Sequence, residues 1–95
     1  MSEQQLQTKI IKWLKSKGCY VIKAQAGPGV PVGCPDIIAL FDGGGWVAIE
    51  VKATEKARFQ PLQLQTVKKL NGMYFSRVVY PDNWKEVQKE LADML

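Results

Sequence analysis

Pro35-Asp36-Ile37-Ile38-Ala39-Leu40-Phe41-Asp42-Gly43-Gly44-Gly45-Trp46-Val47-Ala48-Ile49-Glu50-Val51-Lys52-Ala53 is the stretch that decides the fold. Two apolar, β-branched runs, residues 36–41 and 46–53, flank an Asp-Gly turn, which is the signal of an antiparallel hairpin. The first run is apolar on both faces, as a central strand is. Side chains alternate across a strand, so Glu50 and Lys52 share one face while Ile49 and Val51 point to the other, into a core. Folding back at the glycines brings Asp36 towards Glu50. Two carboxylates and an ammonium then gather on strands where an uncompensated charge is costly. Alone, a Pro-Asp or a Glu-x-Lys is an ordinary surface feature worth a few tenths of a kcal/mol. Joined by one hairpin on core-like strands, they read as a site.

Working outward, residues 3–17 read as an amphipathic helix, with Leu6, Ile10, Trp13 and Leu14 on one stripe beside Ile11. Ser2 is its expected N-cap, Gln5 completes a capping box, and Gly18 ends it. Lys9, Lys12, Lys15 and Lys17 read as a solvated face. Residues 19–24 are a strand, and the Gly- and Pro-rich residues 26–35 a loop. That loop fits neither the P-loop, which needs Gly-Lys-Ser/Thr, nor the dinucleotide fingerprint, whose glycine spacing differs from Gly27, Gly29 and Gly33. Downstream, residues 61–70 are predicted as a helix with Pro61 in its first turn, Leu62, Val67 and Leu70 as its apolar stripe, and Asn71-Gly72 as its end. Residues 74–80 form a fourth strand broken by Pro81. Asp82 or Asn83 caps a last helix with Trp84, Val87, Leu91 and Leu95 facing inward. The order is α-β-β-β-α-β-α, an α/β fold with a mixed sheet flanked by helices.

Composition narrows the chemistry. Ninety-five residues with 46% hydrophobic and 23% charged residues are predicted to make one globular domain, residues 1–95, with a modest core that oligomerisation would help. No apolar run is long enough to span a membrane, and the polar start Met-Ser-Glu-Gln-Gln does not read as a signal peptide, so an intracellular, cytoplasmic protein is expected. The absence of histidine excludes histidine-ligated metals and Ser-His or Cys-His dyads. Cys19 and Cys34 form no zinc-type pair and are expected as free thiols. Thirteen basic residues, eleven of them lysine, against nine acidic ones give +4. That balance is compatible with a polyanionic partner.

Catalysis without histidine must use carboxylates, lysine, or a metal on oxygen ligands. Asp36 and Glu50, with the backbone carbonyl of Val51, are a donor set suited to Mg²⁺, a hard cation that keeps several waters. Lys52 beside them can help deprotonate or orient a water and stabilise charge on a phosphate. A phosphodiester is the substrate this equipment fits best.

At these residues the sequence resembles the PD-(D/E)xK nucleases. Gly33-x-Pro35-Asp36 and the strand Val47-Ala48-Ile49-Glu50-Val51-Lys52-Ala53 are similar to the corresponding elements of the virus-type replication-repair nuclease (VRR-NUC) domain, in its stand-alone, phage-type form. Glu3 and Gln63 fall where that family places a Glu and a Gln. The resemblance covers essentially the whole chain and departs at Cys34, where the family often has an apolar residue. It implies a restriction-endonuclease-like core and Mg²⁺- or Mn²⁺-dependent cleavage of DNA, with a preference for four-way junctions or other branched DNA. It also implies a homodimer. Asp36 and Glu50 would bind the metal and Lys52 would be the catalytic lysine. Glu3 would hold a second metal or a water on it, and Gln63 would position Lys52 or the scissile phosphate. Lys23, Lys56 and Arg58 are candidate phosphate contacts by their place beside the site.

Two other functions compete. A non-catalytic nucleic-acid-binding module on the same fold would keep the basic surface, but Asp36 and Glu50 would oppose phosphate unless a cation stood between. A protein-interaction module would use Trp46 and Tyr74 as surface anchors; core packing is the expectation for both rings.

Overall fold

Ser2 opens the first helix, α1 (Glu3–Ser16), with the reciprocal cap its sequence dictates. The Gln5 N–H donates to the Ser2 hydroxyl at 3.1 Å, and the Ser2 N–H donates to the Gln5 side-chain oxygen at 2.8 Å. The computed structural model describes residues 1–95. After α1 come β1 (Tyr20–Lys23), β2 (Ile37–Phe41), β3 (Gly45–Val51), α2 (Gln63–Met73), β4 (Ser76–Val79) and α3 (Trp84–Met94), the expected α-β-β-β-α-β-α order.

The four strands form one mixed sheet in chain order, β1-β2-β3-β4. The first two pairings are antiparallel and β3 with β4 is parallel, as the α2 crossover between them requires. The β2–β3 hairpin pairs Phe41 with Gly45 and turns through Asp42, Gly43 and Gly44. Gly43 and Gly44 both have φ near +90°, a conformation that only glycine adopts freely.

One face of the sheet carries the core. Leu6, Ile10 and Leu14 of α1 and Trp84, Val87 and Leu91 of α3 close over Ile37, Ala39, Val47, Ile49, Val51 and Val79. Trp13 and Trp84 meet edge to face with centroids 5.7 Å apart, which sets α1 beside α3. Arg77 of β4 pairs with Glu90 of α3 at 2.8 Å. Of the helices, α2 covers the other face, lying over β3 and β4. No helix of the protein is long and apolar enough to cross a membrane.

Several local expectations are corrected. Helix α2 begins at Gln63, not Pro61, and Leu62 stands outside the apolar stripe, half exposed with φ 69° just before the helix. Val67 is the buried residue of α2. Asn71-Gly72 does not end the helix. The Asn71 side-chain oxygen accepts from the Ser76 N–H and from Arg77, so it acts forward onto β4 and leaves the helix to run on to Met73. Asn83 precedes α3 but makes no side-chain cap; its amide accepts from the Tyr80 N–H and donates to the Val78 carbonyl, fixing the β4–α3 turn. Leu95 is exposed rather than inward-facing. Trp46 and Tyr74 are also not core residues. Their rings pack on each other, 5.7 Å apart, with Trp46 partly buried and Tyr74 half exposed.

Candidate active site

The site forms where the β2–β3 pairing stops. Ile37 is the last β2 residue in register, opposite Ile49, so Asp36 falls just outside the strand. Its carboxylate takes over from the ladder: Oδ2 accepts from the Val51 N–H at 2.8 Å. Val51 thus joins the site through its backbone, while its side chain is in the core. Pro35, immediately before, is fully buried and fixes the approach of the chain.

Glu50 and Lys52 lie on the face opposite Ile49 and Val51, as alternation requires, yet they are nearly as buried, at 1% and 6% exposed. Their charged ends are 4.0 Å apart. Gln63, the first residue of α2, bridges them. Its Oε1 accepts from Lys52 Nζ at 2.8 Å, and its Nε2 donates to Glu50 Oε2 at 3.1 Å. The Gln60 N–H also donates to Gln63 Oε1, at 2.6 Å, which fixes the orientation of the amide. Lys52 makes a second bond, to the Arg58 carbonyl at 3.1 Å, and its ammonium lies over the Phe59 ring at 4.9 Å.

The bridge leaves one atom over: Glu50 Oε1 is buried with no hydrogen-bond partner. Burial first, and then the neighbouring Asp36 carboxylate, push the Glu50 carboxyl up to about 8. Lys52 pulls it down less, and the charge of Glu3 adds to the rise. A buried carboxylate held against another one is stabilised in its charged form by a cation between them. Asp36 and Glu50 therefore fit a divalent metal. No cluster of three or more Cys, Asp or Glu side chains exists that could hold one, so backbone and water oxygens must complete the shell, the pattern Mg²⁺ favours.

Among the residues expected at the site, the fold brings together Asp36, Glu50, Val51, Lys52 and Gln63. Glu3, exposed at the start of α1, is felt by Glu50 as a neighbouring charge. Lys23, Lys56 and Arg58 are exposed, and the tie from Arg58 to the cluster is its carbonyl. Both cysteines are free; burial is the main cause that raises the Cys34 thiol, with Glu50 and Asp36 adding to it. The sequence reading missed Phe59, the Gln60 N–H and the Arg58 carbonyl. They belong to a segment without periodicity, and two of the three act through backbone, so only their place between the strand and α2 could have marked them.

Gly33 explains the Gly-x-Pro-Asp element physically. It has φ +84°, and a Cβ there would stand 2.8 Å from Leu62. The absence of a side chain lets the loop before Asp36 lie directly on the chain entering α2, so Asp36 and Gln63 are positioned by one contact.

Known proteins share this fold. The family model described as archaeal Holliday junction resolvase (Hjc) matches residues 4–93. Among solved structures, one described as "VRR_NUC domain" superposes with a TM-score of 0.70 over 95% of this chain and 94% of its own, at 23% identity. At that identity the likeness shows the fold. None of the curated proteins matches the chain significantly.

Proposed function

The chain belongs to the archaeal Holliday junction resolvase family of PD-(D/E)xK-like nucleases, and from that premise we propose that it is a metal-dependent endodeoxyribonuclease selective for four-way junctions or other branched DNA. The observation that carries the reading is the orphaned, buried Oε1 of Glu50, a carboxyl that has Asp36 as a charged neighbour and Lys52 tethered 4.0 Å away. A fold alone gains nothing from that arrangement, since an unpartnered buried polar atom costs about 1–3 kcal/mol.

Asp36, Glu50 and the Val51 carbonyl are the oxygen donors for Mg²⁺ or Mn²⁺. When bound, the cation supplies Lewis-acid stabilisation of the phosphate and a nucleophile at neutral pH. Lys52 presents a fixed positive charge to the phosphate undergoing attack. Gln63, with the Arg58 carbonyl, holds the ammonium in one place and is a positioning residue. Glu3 adds negative charge at the edge of the cluster and can serve a second cation. Lys23, Lys56 and Arg58 are exposed around the site and contact the DNA backbone.

The protein acts as an intracellular homodimer, which sets two such sites against two strands. Support comes from the half of the sheet that α2 leaves bare. There Tyr20, Leu40 and Trp46 lie side by side in register, with Ile22 in the next row, and Tyr74 extends the patch. Exposed apolar area of that kind marks an interface.

The deciding experiment compares wild type with Lys52→Ala on a labelled four-way junction and on linear duplex, with Mg²⁺, Mn²⁺ or EDTA. Metal-dependent cutting of the junction by wild type alone is expected, with paired symmetric cuts if the dimer acts as one unit. Binding without cutting by both proteins in every metal would overturn the enzyme and leave a binding module.

A further inference from the structure

The carboxylate cluster opens sideways into a cavity of about 420 Å³, within the size range of small-ligand sites. It lies between residues 24–34 and the entry to α2, and Asp36 and Gln63 line both it and the cluster. Ala26, Val30, Pro31 and Val32 supply apolar wall, and the side-chain amides of Gln25 and Gln60 supply donors and acceptors. No lysine or arginine lines it, and Asp36 is its only charged residue. The segment is a built structure. Turns close it at Val30 N–H to the Gly27 carbonyl (3.1 Å) and Cys34 N–H to the Pro31 carbonyl (3.2 Å), and Gly33 seats it on Leu62.

This lining is wrong for phosphate and suited to a flat, neutral group with apolar faces and hydrogen-bonding edges. We propose that the cavity receives an unpaired nucleobase of the DNA strand being cut. The proposal rests on the nuclease reading in one respect: a phosphate held at Asp36, Glu50 and Lys52 places its neighbouring nucleotides beside the cavity mouth. A base inside continuous duplex is stacked and paired and does not reach it. A base at a branch point leaves the stack at lower cost. The cavity thereby turns a branch into binding energy within one protomer: its apolar walls can flank any base, and its amides carry both donors and acceptors.

The test is a binding cycle on a four-way junction in Ca²⁺, followed by anisotropy, with abasic residues placed in turn at each branch-point nucleotide. Ala26→Trp fills the cavity and Gln25→Ala removes one amide; neither belongs to the catalytic cluster. For wild type, one abasic position is expected to weaken binding about tenfold, the size of one or two lost hydrogen bonds. Ala26→Trp should lose a similar factor on the intact junction and then be indifferent to that abasic position, while duplex binding stays within twofold. Gln25→Ala should lose about threefold, which keeps the test decisive if the tryptophan variant fails to fold. Affinities within twofold for every abasic junction, or additive losses for variant and lesion, would overturn the base pocket. Parallel cleavage in Mg²⁺ separates the two ideas: absent cutting with an intact cycle sinks the nuclease and leaves the pocket, and the reverse sinks the pocket alone.

Discussion

Ile49 and Val51 lie on one side of β3, Glu50 and, just past its end, Lys52 on the other, and solvent hardly touches any of them. The two sides differ in what burial accomplishes. Towards α1 and α3 the strand meets the apolar core cluster, where the unmatched polar atom is the Trp84 indole N–H. Towards α2 it meets Gln63, a backbone carbonyl and an aromatic ring, and it still leaves Glu50 Oε1 unmatched. Equal burial therefore has different consequences: one side holds the protein together, and the other carries a buried charged pair with an unmatched carboxylate oxygen at the expense of stability.

The sharpest way to break this comparison is to swap losses across the strand. Glu50→Gln is expected to abolish cleavage, by about 10³-fold or more, while the melting temperature of the metal-free protein stays level or rises. Ile49→Ala should do the reverse, losing about 2–5 kcal/mol by denaturant titration while retaining cleavage below its melting point. If Glu50→Gln unfolded the protein, the claim that this side is not structural would fail.

Next in size is the pH response. Glu50 binds its proton more tightly folded, near 8, than unfolded, near 4.5. Between those values the native state holds more protons than the unfolded one, so the contribution of Glu50 to metal-free stability is full at low pH and is lost as pH rises through about 8. A loss of a few kcal/mol across that window is expected for wild type, and a nearly flat profile for Glu50→Gln. Mg²⁺ or Mn²⁺ should restore wild-type melting at pH 8 and have little effect on the variant. A wild-type profile that climbs from pH 5 to 8 would refute the buried, protonated carboxyl.

Gln63→Ala is expected to slow cleavage by 10- to 100-fold, the usual effect of losing an orienting partner. Because the amide acts on both Lys52 and Glu50, the pH–rate profile should shift with the rate. A lower rate on an unchanged profile would mean that Gln63 contacts DNA instead. The smallest effect is assigned to Lys23→Ala: about threefold weaker binding to junction and duplex alike, and a salt slope lower by about one.

Much of this contrast was legible before the structure. The hairpin and its alternation placed Glu50 and Lys52 together and set Ile49 and Val51 apart from them, because a two-residue period leaves no freedom once register is set. Asp36 was legible for the same reason. Phe59 and the Arg58 carbonyl were not, since an aperiodic connection carries no pattern from which a backbone group can be assigned a partner. The end of α2 was misread because Asn-Gly is ordinarily a stop, and nothing local reveals that Asn71 is engaged by Ser76 and Arg77. Trp46 and Tyr74 looked like core from composition; that α2 covers only half of a sheet face depends on where the crossover lands.

The bond from Val51 N–H to the Asp36 carboxylate makes the β2–β3 hairpin a ruler. Five paired positions and a three-residue turn separate the two halves of the site. One residue inserted into or deleted from either strand turns its side chains over, sending Glu50 into the oily interior or Asp36 away from Val51. Natural relatives should accordingly hold the hairpin to a fixed count.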